Sequence, residues 1–166
     1  ELGWMGIIFP EQYGGAGGDF LDLLVLLEEM GRACLPGPFF STVVLGGLPI
    51  LEAGTDPQKK EFLTKIASGH LTLTLAHLEP ATTQFDPYLL RVQAFAEPDS
   101  YTIDGIKLFV PNAHAANYMI CVARTEGEIN SKEGITLLLV DARSPGIKWE
   151  FLKTVSRDKQ CEVIFQ

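Results

Sequence analysis

Hydrophobic and polar positions follow two different periods along this chain, and the change comes near residue 70. Residues 1–69 carry apolar side chains at the spacing of helices, whereas apolar and polar residues alternate strictly over 71–75. Helices followed by strands, without interleaving, indicate separate helical and sheet parts. The pattern therefore predicts an α+β protein, with a helical amino-terminal domain over 1–69 and an antiparallel β-barrel or sandwich over 70–166.

Two longer helices are predicted in the first part. Asp19 is a suitable N-cap for Phe20–Arg32, whose few polar positions predict a largely buried helix. A second helix is expected to run toward Ala53, with Ser41 as its cap. Pro49 lies inside this segment and lacks a backbone donor, so we expect a kink or a late start there.

Two local motifs complete the helical part. Thr55 and Gln58 have the spacing of a capping box, which predicts a third helix that ends at Gly69. Residues 14–18 are rich in glycine and precede a helix, an arrangement that also occurs in phosphate-binding loops. No complete phosphate-loop motif is present, so a tight turn is the simpler interpretation.

The strand part contains one strong turn signal and one irregularity. Asp104 and Gly105 form the dipeptide most typical of a two-residue hairpin, so strands are predicted over 101–103 and 106–108. Phe109 and the two residues after it break the alternation, so one of these side chains must leave the sheet face. Further strands are predicted over 118–123, 135–140, 146–151 and 161–166.

Composition excludes several functional classes. The chain has 166 residues, a net charge of -8 and a pI of about 4.8, which argues against general binding to nucleic acid or to an anionic membrane surface. Three widely spaced cysteines do not suggest a disulfide framework. A reducing compartment, and hence the cytoplasm, is expected. The first residue is Glu1 and the last six read as the middle of a strand, so we expect a fragment of a longer protein.

Candidate chemical groups are few. The three histidines have no metal-ligand spacing with one another or with the cysteines, so no metal site is predicted. No nucleophile motif is present. Glu79, before Pro80, is either a buried acid or a carboxylate that binds nearby backbone amides. The irregular Phe109 packs either in the core or on a planar cofactor.

Three segments give the chain a family resemblance. They are Pro-Glu-Gln-Tyr-Gly-Gly-Ala-Gly at 10–17, Leu-Ala-His-Leu-Glu-Pro at 75–80 and Asp-Gly-Ile-Lys-Leu-Phe-Val-Pro-Asn-Ala at 104–113. Their order and spacing resemble those of acyl-CoA dehydrogenases, in the amino-terminal helical domain and the middle β-domain. The resemblance implies FAD as cofactor, α,β-dehydrogenation of an acyl-CoA thioester, and electron-transfer flavoprotein or a similar acceptor. It also implies a homo- or hetero-oligomer.

The resemblance assigns cofactor contacts to five residues: Leu75, His77, Leu78, Phe109 and Pro111. Leu78 and Pro111 stand where relatives have threonines that hydrogen-bond the flavin. Leu78 lacks the hydroxyl, and Pro111 lacks both the hydroxyl and the amide hydrogen. Flavin binding weaker than in relatives is therefore expected.

The resemblance also places substrate contacts at Thr83, Gln84 and Phe85. The sequence 84–86 replaces the family's Gly-Ser-Asp, which alters that loop. The general base of the family is a glutamate of a carboxy-terminal helical domain that this sequence does not include, so no catalytic residue is assigned here. The fragment alone is expected to be inactive. Two alternatives stay open: a non-catalytic partner subunit of the same fold, and a free-standing binding module.

Overall fold

A computed structural model of the chain describes residues 2–80 and 88–166. The chain divides into two compact units, Glu1–Leu73 and Thr74–Gln166. The first unit is helical. Its helices are α1 (Phe20–Arg32), α2 (Phe40–Gly47 continued by Leu48–Ala53) and α3 (Asp56–Gln58, Lys59–Leu63 and Thr64–Ala67), preceded by 3₁₀ turns at Trp4–Gly6 and Glu11–Tyr13.

The start of α1 is as the sequence predicts. The Asp19 carboxylate accepts hydrogen bonds from the amides of Leu21 at 2.8 Å and Asp22 at 3.1 Å. The Asp22 carboxylate accepts in return from the Asp19 amide at 3.0 Å. This reciprocal pair satisfies amide groups that a helix start otherwise leaves without partners.

The predicted burial of α1 is wrong for this chain. Leu23 is the buried residue of the helix, whereas Phe20, Leu21 and Val25 each expose more than 60% of their surface. An apolar helix is buried only where other elements cover its faces. Leu23 has such cover from this chain, Leu26, Leu27 and Met30 are partly covered, and the remaining apolar positions of α1 are exposed.

The second helix differs from its prediction at Ser41 and at Pro49. Phe39 precedes the first helical residue, and the Ser41 hydroxyl lies inside the first turn, where it donates to the Pro38 carbonyl at 3.0 Å. Pro49 neither breaks nor delays the helix. The preceding segment is wound as a π-helix, in which the Leu48 amide bonds to the carbonyl of Val43. This wider turn lets the chain enter Leu48–Ala53 with proline in its first turn, where the missing donor costs least.

The third helix and the glycine-rich segment follow their predictions. The Thr55 amide donates to Gln58 Oε1 at 2.9 Å, and Gly69 takes a φ of +75° after the helix ends. The amides of Ala16, Gly17 and Gly18 each donate at 2.9 Å to carbonyls of residues 6, 9 and 7. Because these amides bind backbone oxygens, the segment is a tight turn.

The second unit contains the β-sheet. Within the described residues it has seven strands: β1 (Leu73–Ala76), β2 (Gln93–Ala96), β3 (Tyr101–Pro111), β4 (Tyr118–Arg124), β5 (Ile135–Asp141), β6 (Lys148–Phe151) and β7 (Gln160–Phe165). Their order is β1-β4-β2-β3-β7-β6, and β5 pairs with β4. The α+β class is confirmed, but the sheet is mixed, because β2 and β4 run parallel.

The predicted hairpin at Asp104 and Gly105 is wrong. Both residues lie inside the continuous strand β3, and the turn that joins β2 to β3 is closed by the bond from the Glu97 amide to the Ser100 carbonyl. Gly105 has a φ of +143°, and a Cβ there would lie 2.6 Å from Val92 Cγ2. Glycine is needed here for close approach where β3 leaves β2 and begins to pair with β7.

The core of this unit lies under the inward face of β3, β4 and β7. Its fully or almost fully buried members include Val110, Met119, Cys121, Ala123, Cys161, Val163 and Phe165. Across residues 2–80 and 88–166, the helices are all too short or too polar to cross a lipid bilayer.

Candidate functional site

Phe109 lies at a break in strand β3. Pairing between β3 and β7 shifts register between Lys107 and Val110, and Phe109 takes a φ of +52°. This backbone conformation is unfavourable for a bulky side chain. The Phe109 side chain is 52% exposed, whereas Val110 beside it is fully buried. The prediction that one of these side chains leaves the sheet face is therefore confirmed, and that side chain is Phe109.

The segment that follows β1 lies directly beside this break. The Leu108 amide donates to the Leu78 carbonyl at 2.8 Å. Leu78 itself is 38% exposed, and His77 is half-buried. The structure thus brings two of the predicted cofactor contacts, Leu78 and Phe109, onto neighbouring segments, and both present apolar side chains to the outside. Leu75 lies within β1, four residues before Glu79, and is partly buried.

Pro111, the fifth predicted contact, pairs with Gln160 at the end of β3. The Asn112 amide donates to the Lys159 carbonyl at 2.7 Å, so the alternation of an antiparallel ladder turns the backbone of residue 111 away from β7. The Pro111 carbonyl instead accepts from Thr74 Oγ1 at 2.5 Å. A proline is tolerated here because this position donates no bond to the β7 ladder.

A buried ion pair lies behind the exposed residues. Lys107 Nζ donates to Glu79 Oε1 at 2.7 Å and to the His77 carbonyl at 3.0 Å. The side chains of Lys107 and Glu79 are 0% and 3% exposed. The Glu79 carboxylate also accepts from the amides of Arg91 at 2.8 Å and Val92 at 3.1 Å. Glu79 is thus both a buried acid and a binder of backbone amides.

Lys107 is the site residue that sequence reasoning missed. Lys107 and Val110 both project to the buried side of β3, but this becomes visible only with the register shift between β3 and β7. A lysine at an inward position needs a buried acceptor, and Glu79 was already a candidate. The predicted substrate contacts Thr83, Gln84 and Phe85 lie outside the described residues.

The buried pair Lys107–Glu79 and its surroundings change the pKa of His77. Burial lowers the pKa of His77 below its usual value of 6.5, the nearby Lys107 charge lowers it further, and Glu79 raises it in part. The imidazole is therefore held neutral at physiological pH. The same surroundings raise the pKa of the Cys121 thiol to about 11, mainly through burial. Cys121 is accordingly protonated and a poor nucleophile at neutral pH.

His77 is expected to make the protein less stable as the pH falls below about 6.5. The unfolded chain takes up the proton more readily than the folded one, so the contribution is present above 6.5 and is lost with acidification. Urea unfolding of the parent and of His77→Gln, between pH 8 and pH 5, measures this difference. The variant should show the shallower dependence, whereas the exposed control His70→Gln should follow the parent. Equal slopes for parent and His77→Gln would contradict the assignment.

The arrangement favours binding over acid–base chemistry. Among the residues that the structure describes, its outer surface includes an exposed aromatic ring and an exposed leucine, and the charges of Lys107 and Glu79 behind them neutralise each other. Within residues 2–80 and 88–166, no cluster of three or more His, Cys, Asp or Glu side chains could hold a metal ion. A flat, largely apolar ligand is the group that such a surface fits.

Comparison with known families covers nearly the whole chain. Residues 1–70 match the profile described as "Acyl-CoA dehydrogenase, N-terminal domain". Residues 74–166 match "Acyl-CoA dehydrogenase, middle domain". The boundary between the two matched domains coincides with the switch from helices to strands.

Individual relatives agree with these matches. The chain is 36% identical over 149 residues to a probable acyl-CoA dehydrogenase of Bacillus subtilis, which covers 89% of the chain and 39% of that protein. It is 34% identical over 154 residues to cyclohex-1-ene-1-carbonyl-CoA dehydrogenase of Geobacter metallireducens, with 89% and 39% covered. The chain thus spans about two-fifths of the length of these relatives.

Solved structures show the same fold. The ChsE4-ChsE5 complex of Mycobacterium tuberculosis superimposes with a TM-score of 0.87 at 29% identity, covering 99% of this chain and 42% of that one. Butyryl-CoA dehydrogenase of Megasphaera elsdenii gives a TM-score of 0.82 at 30% identity, covering 99% and 45%. The Tcur3481-Tcur3483 steroid ACAD gives 0.87 at 32% identity, covering 99% and 42%.

Proposed function

This chain belongs to the acyl-CoA dehydrogenase family, and from that premise we propose that it forms the amino-terminal and middle domains of an FAD-dependent dehydrogenase of acyl-CoA thioesters. The reaction would remove one hydrogen from each of the α and β carbons of the acyl group. The catalytic base would come from residues beyond the two-fifths of relatives' length that this chain spans. The proposal includes electron-transfer flavoprotein or a similar acceptor, an oligomeric enzyme and a cytoplasmic location.

The observation that carries the proposal is the strained, outward Phe109 beside Leu78. A phenylalanine at a φ of +52° with half of its surface exposed gains little from the fold that holds it. Unfavourable backbone conformations of this kind cluster at active sites and at segments that hold a ligand. Leu78 lies on the neighbouring segment, so the two side chains offer an apolar surface to one face of a planar ring.

The residues fit an isoalloxazine ring by apolar contact more than by hydrogen bonding. Phe109 and Leu78 would pack against the ring and exclude water from it, and Leu78 keeps a backbone amide as a donor. Pro111 contributes neither an amide hydrogen nor a hydroxyl. FAD, when bound, supplies the hydride acceptor for the reaction. The residues of this chain orient the flavin, and Thr83, Gln84 and Phe85 are proposed to contact the thioester substrate.

A second candidate function rests on Leu78 and Pro111, which stand where relatives have threonines. Leu78 and Pro111 remove donors that a catalytic subunit would use, which favours a non-catalytic partner subunit that completes the site of another chain. Two of the similar solved structures are named as pairs of differently named components, ChsE4-ChsE5 and Tcur3481-Tcur3483. In this case the flavin surface would be shared with, or moved to, the partner chain.

Experiments on the complete protein distinguish the two candidate functions. We expect it to retain FAD through purification, and anaerobic addition of acyl-CoA thioesters of different chain lengths to bleach the visible flavin absorption. Flavin that appears only after co-expression with a second subunit of this family would favour the partner-subunit function. A complete protein without flavin in either setting would contradict the proposed enzyme. The 166-residue chain alone is expected to bind FAD weakly.

Replacing Pro111 with threonine is expected to strengthen FAD binding about tenfold. The new residue gains one amide and one hydroxyl, each worth about 0.5–1.5 kcal/mol as a hydrogen-bond donor, and 1.4 kcal/mol is one decade. The new amide points away from β7, so the β3–β7 ladder is not disturbed. Flavin titration of the complete protein measures the change.

Pro111→Ala is the matched control, because it restores the amide without the hydroxyl. An intermediate gain in that variant would divide the effect between the two donors. Unchanged or weaker binding in Pro111→Thr would show that this end of β3 does not face the flavin. The partner-subunit function would then become the better account.

A further inference from the structure

The buried pair Lys107–Glu79 is an unusual choice for the interior of a small sheet. Both side chains are removed from water, and desolvation of two charges commonly offsets their attraction. An apolar pair of similar volume would serve stability as well. A buried ion pair is better explained when it specifies how two segments meet.

The segments joined by this pair are those that carry the proposed flavin surface. Lys107 lies two residues before Phe109, and Glu79 directly follows Leu78. Lys107 Nζ bonds to the His77 carbonyl and to Glu79 Oε1, so one ammonium group holds the backbone and the side chain of the facing segment. Glu79 is itself fixed by the amides of Arg91 and Val92.

A second contact holds the same two segments beyond the break in β3. Thr74 is fully buried, and its hydroxyl donates to the Pro111 carbonyl. The bond between the Leu108 amide and the Leu78 carbonyl lies between the two side-chain contacts. The strained residue Phe109 is therefore held on both sides, at 107–108 before it and at 111 after it.

We propose that Lys107, Glu79 and Thr74 are positioning residues for the flavin, which fix the register between the segment ending at Leu78 and the break at Phe109. They do not touch the ring. They set the spacing and the relative tilt of the two apolar side chains that do. This inference rests on the proposed function, because it assigns these residues a role in the flavin surface.

The double variant Glu79→Gln with Lys107→Met tests this role in the complete protein. It preserves side-chain volume and leaves one acceptor oxygen, enough for one of the Arg91 and Val92 amides. It removes the ammonium links from residue 107 to residues 77 and 79. We expect the apoprotein to fold and to melt moderately below the parent, because one buried amide lacks its acceptor. Its dissociation constant for FAD should rise about tenfold, as expected for lost hydrogen bonds that support the binding geometry. The visible circular dichroism of bound flavin should change, because this signal reports the ring's surroundings.

The matched control is Glu61→Gln with Lys65→Met, which removes an exposed pair of the same residue types, joined at 2.8 Å. It should leave the dissociation constant and the dichroism unchanged. The milder variant Thr74→Val should weaken FAD binding about threefold and shift the dichroism in the same direction. If the double variant melts far below the parent, FAD binding and dichroism of Thr74→Val provide the test of the positioning role.

Each outcome has a separate meaning. A parent that binds FAD, with both test variants binding it equally well and with the same dichroism, would overturn the positioning role and leave the proposed function standing. A parent without FAD would overturn the function and the inference together. Weaker binding and altered dichroism in the test variants, with an unaffected control pair, would support the positioning role.

Discussion

Replacement of Glu79 with alanine should lower the free energy of unfolding by about 3–5 kcal/mol, the range measured when one partner of a buried ion pair is removed. The substitution leaves the fully buried Lys107 ammonium with a carbonyl but without its counter-charge. It also removes the acceptor of two amides, those of Arg91 and Val92. Because whole domains are stable by only about 5–15 kcal/mol, the loss should be obvious in urea unfolding.

Two comparisons make this prediction specific to the buried pair. Glu61→Ala removes the acid of an exposed pair with Lys65 and should cost no more than about 0.5 kcal/mol. The double variant Glu79→Gln with Lys107→Met should cost about 1–3 kcal/mol, less than Glu79→Ala, since it leaves no charge unpaired but leaves one of the two amides without its acceptor. A single Glu79→Ala variant as stable as Glu61→Ala would show that the pair contributes nothing to the fold.

The division of the fold into a helical part and a sheet part could be predicted, because it depends only on the spacing of apolar residues along the chain. Strict alternation over 71–75 and over later segments specifies strands whichever partners they have. The Asp104–Gly105 hairpin failed for a related reason. The dipeptide indicates where backbone with positive φ is tolerated, but β3 uses that freedom to pass Val92 rather than to reverse direction. Strand β2 was missed because the four residues 93–96 have no clear alternation.

Burial was harder to predict than the elements themselves. The apolar residues of α1 indicate that its faces are to be covered, but a sequence does not say by what. In this chain Leu23 is the one residue of the helix that is fully buried. Pro49 shows that local rules can also predict a break that does not occur. A π-helical turn before it places the proline in the first turn of Leu48–Ala53, where a helix tolerates it.

The site was predicted where local irregularity reveals it and missed where it depends on a distant partner. Phe109 interrupts a strand pattern, so its departure from the sheet face could be foreseen. The role of Lys107 depends on Glu79, which lies 28 residues away in sequence. A buried lysine also resembles a surface lysine in the sequence until the facing strand is known. Contacts of Leu78 and Pro111 with flavin stay predictions until a bound cofactor is measured.

Phe109 offers the sharpest test of the proposed surface, because stability and ligand binding should respond in opposite directions. Phe109→Gly relieves a left-handed backbone that costs a non-glycine residue about 1–2 kcal/mol. Glycine's greater freedom in the unfolded chain offsets about 0.5–1 kcal/mol of this gain. Since the ring is half exposed, little packing is lost. The free energy of unfolding should therefore rise by about 0.5–1 kcal/mol in the apoprotein.

FAD affinity should fall in the same variant by about tenfold to a hundredfold. Stacking of a planar heterocycle on an aromatic side chain contributes about 1–3 kcal/mol, and 1.4 kcal/mol is one decade. Phe109→Tyr keeps the ring and the strain, so its stability and its FAD affinity should both match the parent. Urea unfolding of the apoproteins and flavin titration of the complete proteins provide the two measurements. If Phe109→Gly bound FAD as tightly as the parent, the exposed ring would have no part in holding the cofactor, and the strain at residue 109 would need another explanation.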